Sequence, residues 1–220
     1  MFSGKIEDYI LFEDKEIIVC RKPAGIAVQN ARIGAMDLES SLKNYLAMQD
    51  GGGRRIPYLA VIHRLDQPVE GLLVFAKTPA AAKIVKVHRL QLERWKKIYL
   101  AVTIWKARPR LGKKKKVLED YLKKDGKSNT SSVVNANTPG AKKARLSYEV
   151  LGEAVDAISG KKKWLLRIHL DTGRHHQIRV QMAHAGMPLA GDRKYGAGTN
   201  VTIGAGSLAL CAASLTFSIR

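Results

Sequence analysis

The sequence predicts an α+β domain, because segments with strand character and segments with helical spacing follow one another along the chain. Apolar residues make up 45% of the 220 residues, which is enough for a hydrophobic core and argues against global disorder. A chain of this length suits one domain, which can be bilobed. We therefore expect residues 1–220 to form a single domain.

In the first half of the chain, composition and capping residues predict strands and two helices. The stretch YILFEDKEIIVCRKPAGIAV predicts two short strands, with turn chemistry at KPAG. The stretch MDLESSLKNYLAMQ predicts a helix behind an Asp37 cap, and residues 59–62 and 72–76 are candidate buried strands. Thr78 followed by Pro79 is a favourable helix start, and this helix should run to about residue 95.

The second half of the chain continues the same mixture. KKIYLAVTIW predicts a strand, and KWLLRIHLD at 163–171 alternates apolar and polar residues with the period of a strand. Gly173 ends that segment, and HHQIRVQMAHAG predicts a helix that Gly186 and Pro188 stop. The C-terminal SLALCAASLTFSI predicts one or two further strands.

A large positive charge indicates a polyanionic partner. The chain has 38 Lys and Arg against 19 Asp and Glu, a net charge of +19, which is typical of proteins that bind nucleic acid or an anionic membrane. Residues 106–145 alone hold 13 basic residues and three acidic ones, among Pro, Gly, Ser and Asn. We expect this segment to be an exposed, loop-rich basic insertion.

The membrane interpretation has little support in the sequence. No apolar run approaches the ~20 residues that span a bilayer, and the N-terminus has no long apolar stretch typical of a secretory signal. Cys20 and Cys211 lack a metal-type spacing, so reduced thiols are the simplest interpretation, although a disulfide stays open. We therefore expect a cytoplasmic protein that binds nucleic acid.

The segment HRLD at 63–66 places charged residues between two candidate buried strands. Because Gln67 and Pro68 follow, Asp66 is either a turn residue that bonds nearby backbone or a catalytic carboxylate. A catalytic carboxylate needs shielding from water and an arginine that keeps it ionised. Tyr99, in KKIYLAV, is either a core residue or an aromatic face for an extruded base, with the adjacent lysines near phosphates.

The segment DTGRHHQIR offers the arginine. If the helix includes His175 and His176, both histidines share the side of Arg179. Together with Arg174 they could hold a carboxylate or a phosphate, or they could form a solvated cationic face. A metal site built from these two histidines and His169 is a third interpretation, which lacks a nearby Cys or Glu.

Four ordered segments resemble motifs of the RluA-type RNA pseudouridine synthases. HRLDQPVEGLLVFAKT is similar to the family motif HRLDxxTSGLLxxAK, and the KPAG of the first family motif is intact. KKIYLAV resembles the segment with the family tyrosine, and LDTGRHHQIRVQMAHAGMPLAGDRKYG resembles the arginine motif. The resemblance, from about residue 10 to 217, implies a mixed, largely antiparallel sheet in two lobes with flanking helices and a cleft across the sheet.

The resemblance also implies roles for individual residues. Asp66 would be the catalytic aspartate, Tyr99 would pack on the uracil and assist proton removal from C5, and Arg179 would keep Asp66 ionised. Arg64 would help fill the gap left by the flipped uridine. The family uses no cofactor and no metal. We expect RNA contacts from His63, Arg64, Lys97, Arg174, His176, Lys113, Lys114, Lys115 and Lys116.

The chain departs from the family pattern at a few positions. Val69-Glu70 replaces Thr-Ser, and Glu70 adds a negative charge that could raise the pKa of Asp66 or pair with a basic group. His175 stands where Thr or Ser is usual, and Gln181 replaces a common His. The sequence stops at Arg220, where relatives usually continue. Since the family motifs begin at about residue 10, we expect no N-terminal S4 domain, and we expect the basic insertion to take over part of its electrostatic work.

The motifs together predict a monomeric pseudouridine synthase that acts on structured ribosomal or transfer RNA, with no obligate protein partner. One rival interpretation is a catalytically silent, basic RNA-binding protein. A second is a metal-dependent nuclease built on Asp66, Asp171 and the histidines, which a chelator would inactivate.

Overall fold

The computed structural model describes residues 4–30, 36–51, 56–88, 95–104, 115–156, 160–196 and 208–218. The chain divides into two compact units, of which the first comprises Met1–Lys96 with Ala212–Arg220 and the second comprises Lys97–Cys211. The described residues form a 3-10 turn at Ile6–Tyr9, the helices α1 (Leu38–Gln49), α2 (Pro79–His88) and α3 (Gln177–His184), and ten strands: β1 (Ile10–Glu13), β2 (Ile17–Lys22), β3 (Ala60–Val61), β4 (Glu70–Ala76), β5 (Trp95–Ile104), β6 (Lys116–Asp125), β7 (Thr130–Val134), β8 (Lys142–Val155), β9 (Lys162–Leu170) and β10 (Leu210–Phe217).

In the first unit, an antiparallel sheet packs against α2. Strand β2 lies between β1 and β4, and the short β3 also pairs with β4. The core between sheet and helix contains Ile17, Val74, Val85 and Trp95, all nearly inaccessible to water. Each such side chain contributes roughly 1.5–3 kcal/mol by leaving water, so this contact accounts for much of the stability of the unit.

Capping residues begin the first two helices as the sequence predicts. The Asp37 carboxylate accepts the Ser40 N–H at 2.7 Å, and the Thr78 hydroxyl accepts the Ala81 N–H at 3.1 Å. Helix α2 is described as far as His88, and residues 89–94, to which the predicted helix extends, lie outside the described residues. Within the described parts of the chain, no helix is both long enough and apolar enough to cross a membrane.

In the second unit, five neighbouring strands follow the order β5-β9-β8-β6-β7, and every pairing between them is antiparallel. Leu122 of β6, Ala144 of β8 and Val180 of α3 form a small buried cluster on one side of this sheet. The predicted α+β class with a largely antiparallel sheet is confirmed, and two compact units stand where two lobes were expected.

The prediction that residues 106–145 are loop-rich is wrong for the part from Lys116 onward. That part forms β6, β7 and the beginning of β8. Its lysines lie on exposed positions while Leu122 is buried, so few apolar residues mark the strand period. Ser and Thr residues at 130–132 are strand residues, residues 126–129 form a tight turn, and the Asn and Thr residues at 135–138 belong to the connection between β7 and β8.

Cys20 and Cys211 form no disulfide bond. Cys20 is fully buried in β2, and burial raises the pKa of its thiol to about 12, against the opposing charge of Lys22. A thiol that stays protonated is a poor nucleophile and a poor metal ligand, so Cys20 acts as a core residue.

Gly71→Ala should destabilise the protein by roughly 2–4 kcal/mol. A Cβ at Gly71 would lie 2.4 Å from the Ala212 carbonyl oxygen, and Gly71 has a φ of +128°, which L side chains rarely adopt. Urea denaturation of the variant measures the loss. Gly126→Ala is the matched control, because a Cβ at Gly126 meets nothing within 4 Å. Equal stabilities of the two variants would contradict the close approach of backbone at Gly71.

Candidate functional site

Asp66 stands at the first position of a tight turn between two paired strands. The chain leaves β3 at Val61, and the Val69 N–H donates to the Asp66 carbonyl oxygen at 3.0 Å before β4 begins at Glu70. The Asp66 side chain is partly exposed. The turn therefore fixes the backbone of Asp66 through its carbonyl group, which is consistent with either function that the sequence left open for the carboxylate.

A buried lysine holds this turn from the side of β2. Lys22 is fully buried, and its ammonium group donates to the carbonyl oxygens of Pro23 at 2.8 Å, Ile26 at 2.7 Å and Gln67 at 3.0 Å. The Gly25 N–H also donates to the Gln67 carbonyl at 2.9 Å, and the Gln67 amide donates to the Gly25 carbonyl at 3.0 Å. The KPAG loop is thus bonded to the residue that follows Asp66.

The charge of Lys22 responds to the carboxylates around the turn. Burial lowers its pKa from 10.5 to about 8, while the negative charges of Asp66 and Glu70 oppose that shift. Glu70, one of the departures from the family motif, is thus near enough for its negative charge to act on the buried ammonium group, and its pairing with a basic group stays a prediction. Three carbonyl acceptors keep the ammonium group satisfied inside the unit.

Sequence reasoning assigned no site role to Lys22, although KPAG was noted as a turn and as a family motif. The signal was present in β2, because Ile18, Cys20 and Lys22 occupy alternating positions that are all buried. A lysine that continues the buried face of a strand requires internal partners. The prediction missed it because KPAG was interpreted as a turn and as a family motif, so its lysine was not assigned to the buried face of the strand.

His63 belongs to the core of the first unit. Its side chain is 6% exposed, and its ring lies 5.3 Å from the Trp95 ring in an edge-to-face arrangement. A buried ring that packs against an indole favours a structural role, and the RNA contact of His63 stays a prediction. Arg64, the next residue, is exposed, so it is accessible to RNA as the prediction requires.

Tyr99 and Lys97 lie on β5 in the second unit. Tyr99 is 6% exposed and stands opposite Ile168 of β9. The Lys97 ammonium nitrogen lies 3.7 Å from the position that a Cβ of Gly173 would occupy. Since Gly173 precedes Arg174, β5 brings Lys97 next to the segment that carries the predicted arginines.

The prediction that His175 and His176 lie on a helix with Arg179 is wrong. Helix α3 begins at Gln177, and His176 precedes it in the left-handed conformation, with a φ of 52°. The Gln177 side chain accepts the Arg174 N–H at 2.9 Å, which stabilises the turn instead of a helical continuation. The two histidine rings stack on each other, with 3.7 Å between their centroids.

Arg179 forms a buried, bidentate pair with Asp192. Its Nε donates to one carboxylate oxygen at 2.9 Å and its Nη2 donates to the other at 2.8 Å. Burial acts to raise the pKa of Asp192, but Arg179 and the N–H groups of Lys194 and Tyr195 outweigh it, so the net pKa lies below its ordinary value. Sequence reasoning missed Asp192, whose only signal was its place in the GDRKYG segment.

The tip of hairpin β6–β7 is fastened to the start of α3. The Ser131 N–H donates to the Tyr195 hydroxyl at 2.8 Å, and the Ser131 hydroxyl lies 2.9 Å from His175 Nδ1. His176 Nδ1 lies 2.7 Å from the same Tyr195 hydroxyl, and the Arg179 guanidinium lies 5.2 Å from the centre of the Tyr195 ring. His175 thus has a structural partner, and His176 is buried, so its RNA contact stays a prediction.

Among the remaining predicted RNA contacts, Arg174 is exposed and its Nε donates to the Lys143 carbonyl at 2.9 Å. Lys115 and Lys116 are exposed, whereas Lys113 and Lys114 lie outside the described residues.

Burial lowers the pKa of His169, and the positive charge of Lys115 adds to that shift. In the described part of the chain, no group of three His, Cys, Asp or Glu side chains is arranged to hold a metal ion.

The residues predicted to act together divide between the two units. Asp66, Arg64 and Lys22 belong to the first unit, and Tyr99 and Arg179 belong to the second. Each unit supplies a rigid setting for its own residues, and the pairing of Arg179 with Asp66 stays a prediction.

Comparisons with known proteins show the family to which the chain belongs. A family model described as RNA pseudouridylate synthase matches residues 16–184. An uncharacterized RNA pseudouridine synthase of Bacillus subtilis is 33% identical over 204 residues, 90% of this chain and 62% of the relative. Ribosomal large subunit pseudouridine synthase D of Nitrosomonas europaea is 35% identical over 187 residues, 85% of this chain and 49% of the relative. The chain thus spans about half to three-fifths of the length of these relatives.

The fold has a counterpart among solved structures. Human RNA Pseudouridylate Synthase Domain Containing 4 superimposes with a TM-score of 0.71 at 22% identity, over 96% of this chain and 85% of that one. At this level of identity the likeness shows a shared fold.

The free energy of unfolding of the wild-type protein, measured relative to that of a Lys22→Met variant, should rise by about 2 kcal/mol between pH 7 and pH 9.5. The pKa of Lys22 is about 8 in the folded state, against an ordinary value of 10.5. Between these values the unfolded chain binds a proton that the folded chain does not, so raising the pH favours folding. Urea denaturation of both proteins across this range measures the difference, and a difference independent of pH would contradict the buried ammonium.

Arg179→Met should destabilise the protein by about 3–5 kcal/mol at pH 7, because it leaves the Asp192 carboxylate buried without its cation. Burial then raises the pKa of Asp192 in the variant, so the carboxyl takes up a proton and the loss should shrink at pH 4.5. Urea denaturation at both pH values tests this. Arg174→Met, at an exposed arginine, is the control and should change stability by less than about 0.5 kcal/mol; matching losses for the two variants would contradict the buried pair.

Proposed function

Because the chain belongs to the RNA pseudouridylate synthase family, we propose that it isomerises uridines of structured RNA to pseudouridine. The observation that carries this proposal is the setting of Asp66, a partly exposed carboxylate in a turn that the buried Lys22 holds in place. Ribosomal RNA is the favoured substrate class, since a relative 35% identical is named a ribosomal large subunit pseudouridine synthase. Transfer RNA is the alternative substrate.

The proposed reaction exchanges one bond of the base for another. The uridine leaves its helix and enters the site, where Asp66 attacks the ribosyl carbon or the ring and the N1 bond to the ribose breaks. The detached uracil turns and rejoins the ribose through C5, and the bond that Asp66 formed to the ribosyl carbon or to the ring breaks, which regenerates the carboxylate. The proton on C5 is then removed, with help from Tyr99, while N1 gains a proton, so substrate and product have the same composition and no cofactor is needed.

Arg179 has two proposed tasks in this reaction. It is the cation that would keep Asp66 ionised, and its bidentate contact with Asp192 would hold its guanidinium in one orientation. A planar guanidinium has five N–H donors in a fixed fork, so one arginine can serve two carboxylates. Asp192 is therefore a positioning residue in this proposal.

Basic residues on the exposed surface would hold the RNA. Arg64, Arg174, Lys115 and Lys116 are exposed, and the chain carries a net charge of +19. Contacts to phosphates strengthen binding and set the orientation of an RNA without reading its sequence. We propose that Lys97, beside Gly173, and Lys113 and Lys114 add to this surface, and that the protein acts as a cytoplasmic monomer.

Asp66→Asn should lower the rate of pseudouridine formation by more than about 10³-fold, a barrier increase of roughly 4 kcal/mol. An amide is nearly isosteric with the carboxylate but cannot serve as the nucleophile or base. Single-turnover assays on total RNA from a strain that lacks the gene measure the rate, and circular dichroism checks the fold.

Asp50→Asn is the matched control, because Asp50 is an exposed aspartate of the same unit. It should keep the wild-type rate. An Asp66→Asn rate within tenfold of wild type would refute the role of Asp66. A wild-type protein that binds RNA and forms no pseudouridine would favour the catalytically silent RNA-binding protein.

A further inference from the structure

A groove against α2 has no part in the site around Asp66. It has a volume of about 390 Å³ and belongs entirely to the first unit. This volume lies within the range of small-ligand pockets, which is about 300–1,000 Å³. The groove is lined by Tyr58, Pro79, Ala82, Lys83, Lys86 and Val87.

The groove exposes apolar side chains that the core does not use. Helix α2 buries Ala81, Ala82 and Val85 against the sheet, so its attachment does not require the residues on its other side. Val87 is nevertheless 49% exposed and Tyr58 is 46% exposed. An aromatic ring and an aliphatic side chain that line one groove in contact with water are typical of a binding surface.

The charged side chains of the groove are both positive. Lys83 and Lys86 are exposed and lie three residues apart on α2, so they share one side of the helix. No acidic side chain lines this groove among the described residues. The groove therefore combines an accessible aromatic ring with two cations, and its charge is complementary to a phosphate backbone.

We propose that this groove binds a nucleotide of single-stranded RNA, with the base stacked on Tyr58 and adjacent phosphates at Lys83 and Lys86. This inference rests on the proposed function, because the ligand is a segment of the substrate RNA outside the reacting uridine. Stacking on an aromatic ring accepts every base, and lysines contact any phosphate, so the groove holds RNA without reading its sequence.

An acidic protein segment is the other occupant that two lysines and an apolar floor would accept. The net charge of +19 and the proposed RNA substrate favour RNA. The Tyr58 ring favours the same choice, since a stacked base uses the whole face of the ring. The two occupants differ in what RNA binding should do when the groove is altered.

Binding of a fluorescent oligouridine of about 12 nucleotides, measured over a salt series, tests the proposal. Tyr58→Ala should weaken binding roughly 10-fold, whereas Tyr58→Phe keeps the ring and should bind like wild type. Lys83→Gln with Lys86→Gln should flatten the log–log salt dependence by about 1.4, which is about 0.7 for each lost phosphate contact. With 5-iodouridine in the oligonucleotide, near-ultraviolet light should crosslink the RNA to Tyr58.

Lys5→Gln with Lys15→Gln is the matched control, since it removes two exposed lysines of the same unit outside the groove lining. It should leave the salt dependence closer to wild type than the groove variant does. Wild-type affinity in Tyr58→Ala with no crosslink at Tyr58 would overturn the proposal, as would equal effects of the two lysine pairs. The Asp66→Asn assay tests the proposed function separately, so wild-type RNA binding by the groove variants would overturn the groove proposal and leave the role of Asp66 untouched.

Discussion

The ammonium group of Lys22 is the interaction on which the turn of Asp66 depends. A charged group inside a protein is costly unless every donor has a partner, and the three carbonyl oxygens around Lys22 satisfy this requirement. One of the carbonyls belongs to Gln67, next to Asp66, so the charge can be satisfied only when the turn and the KPAG loop are correctly placed. Burial of Lys22 therefore helps to specify the position of the turn.

The second unit also buries charged groups, and there an ion pair offsets the cost of burial. The guanidinium of Arg179 and the carboxylate of Asp192 are both buried. Backbone N–H groups donate further hydrogen bonds to the carboxylate. Tyr195 extends this arrangement, because its hydroxyl accepts the Ser131 N–H of hairpin β6–β7 and its ring faces the arginine. The hairpin, the start of α3 and the buried pair are consequently connected through direct contacts.

The large positive charge imposes a constraint of its own. Like charges repel, so a chain with a net charge of +19 must distribute its lysines where water screens them. The structure does this with strands such as β6, in which lysines occupy exposed positions while Leu122 reaches the core. In the first unit, α2 exposes Lys83 and Lys86 and buries Ala81, Ala82 and Val85. The same elements that build the cores thus present the cations that the proposed RNA substrate requires.

The sequence was sufficient where a signal is local. Asp37 and Thr78 cap their helices as expected, and the alternation in KWLLRIHLD marks β9, because caps and periodicity depend on neighbours a few residues away. The order of the motifs likewise identified Asp66, Tyr99 and Arg179 as candidates. Strands rich in lysine escaped detection, since their apolar positions are too few to show a period.

Features that join distant residues became visible in the folded chain alone. The burial of Lys22 depends on Gln67, which lies 45 residues away, and the partner of Arg179 follows it by 13 residues. The place where α3 begins depends on His176, whose left-handed backbone accompanies a contact with Tyr195. Burial and partner choice arise from the packing of elements against one another, and a pattern of residue types along the chain does not carry that information.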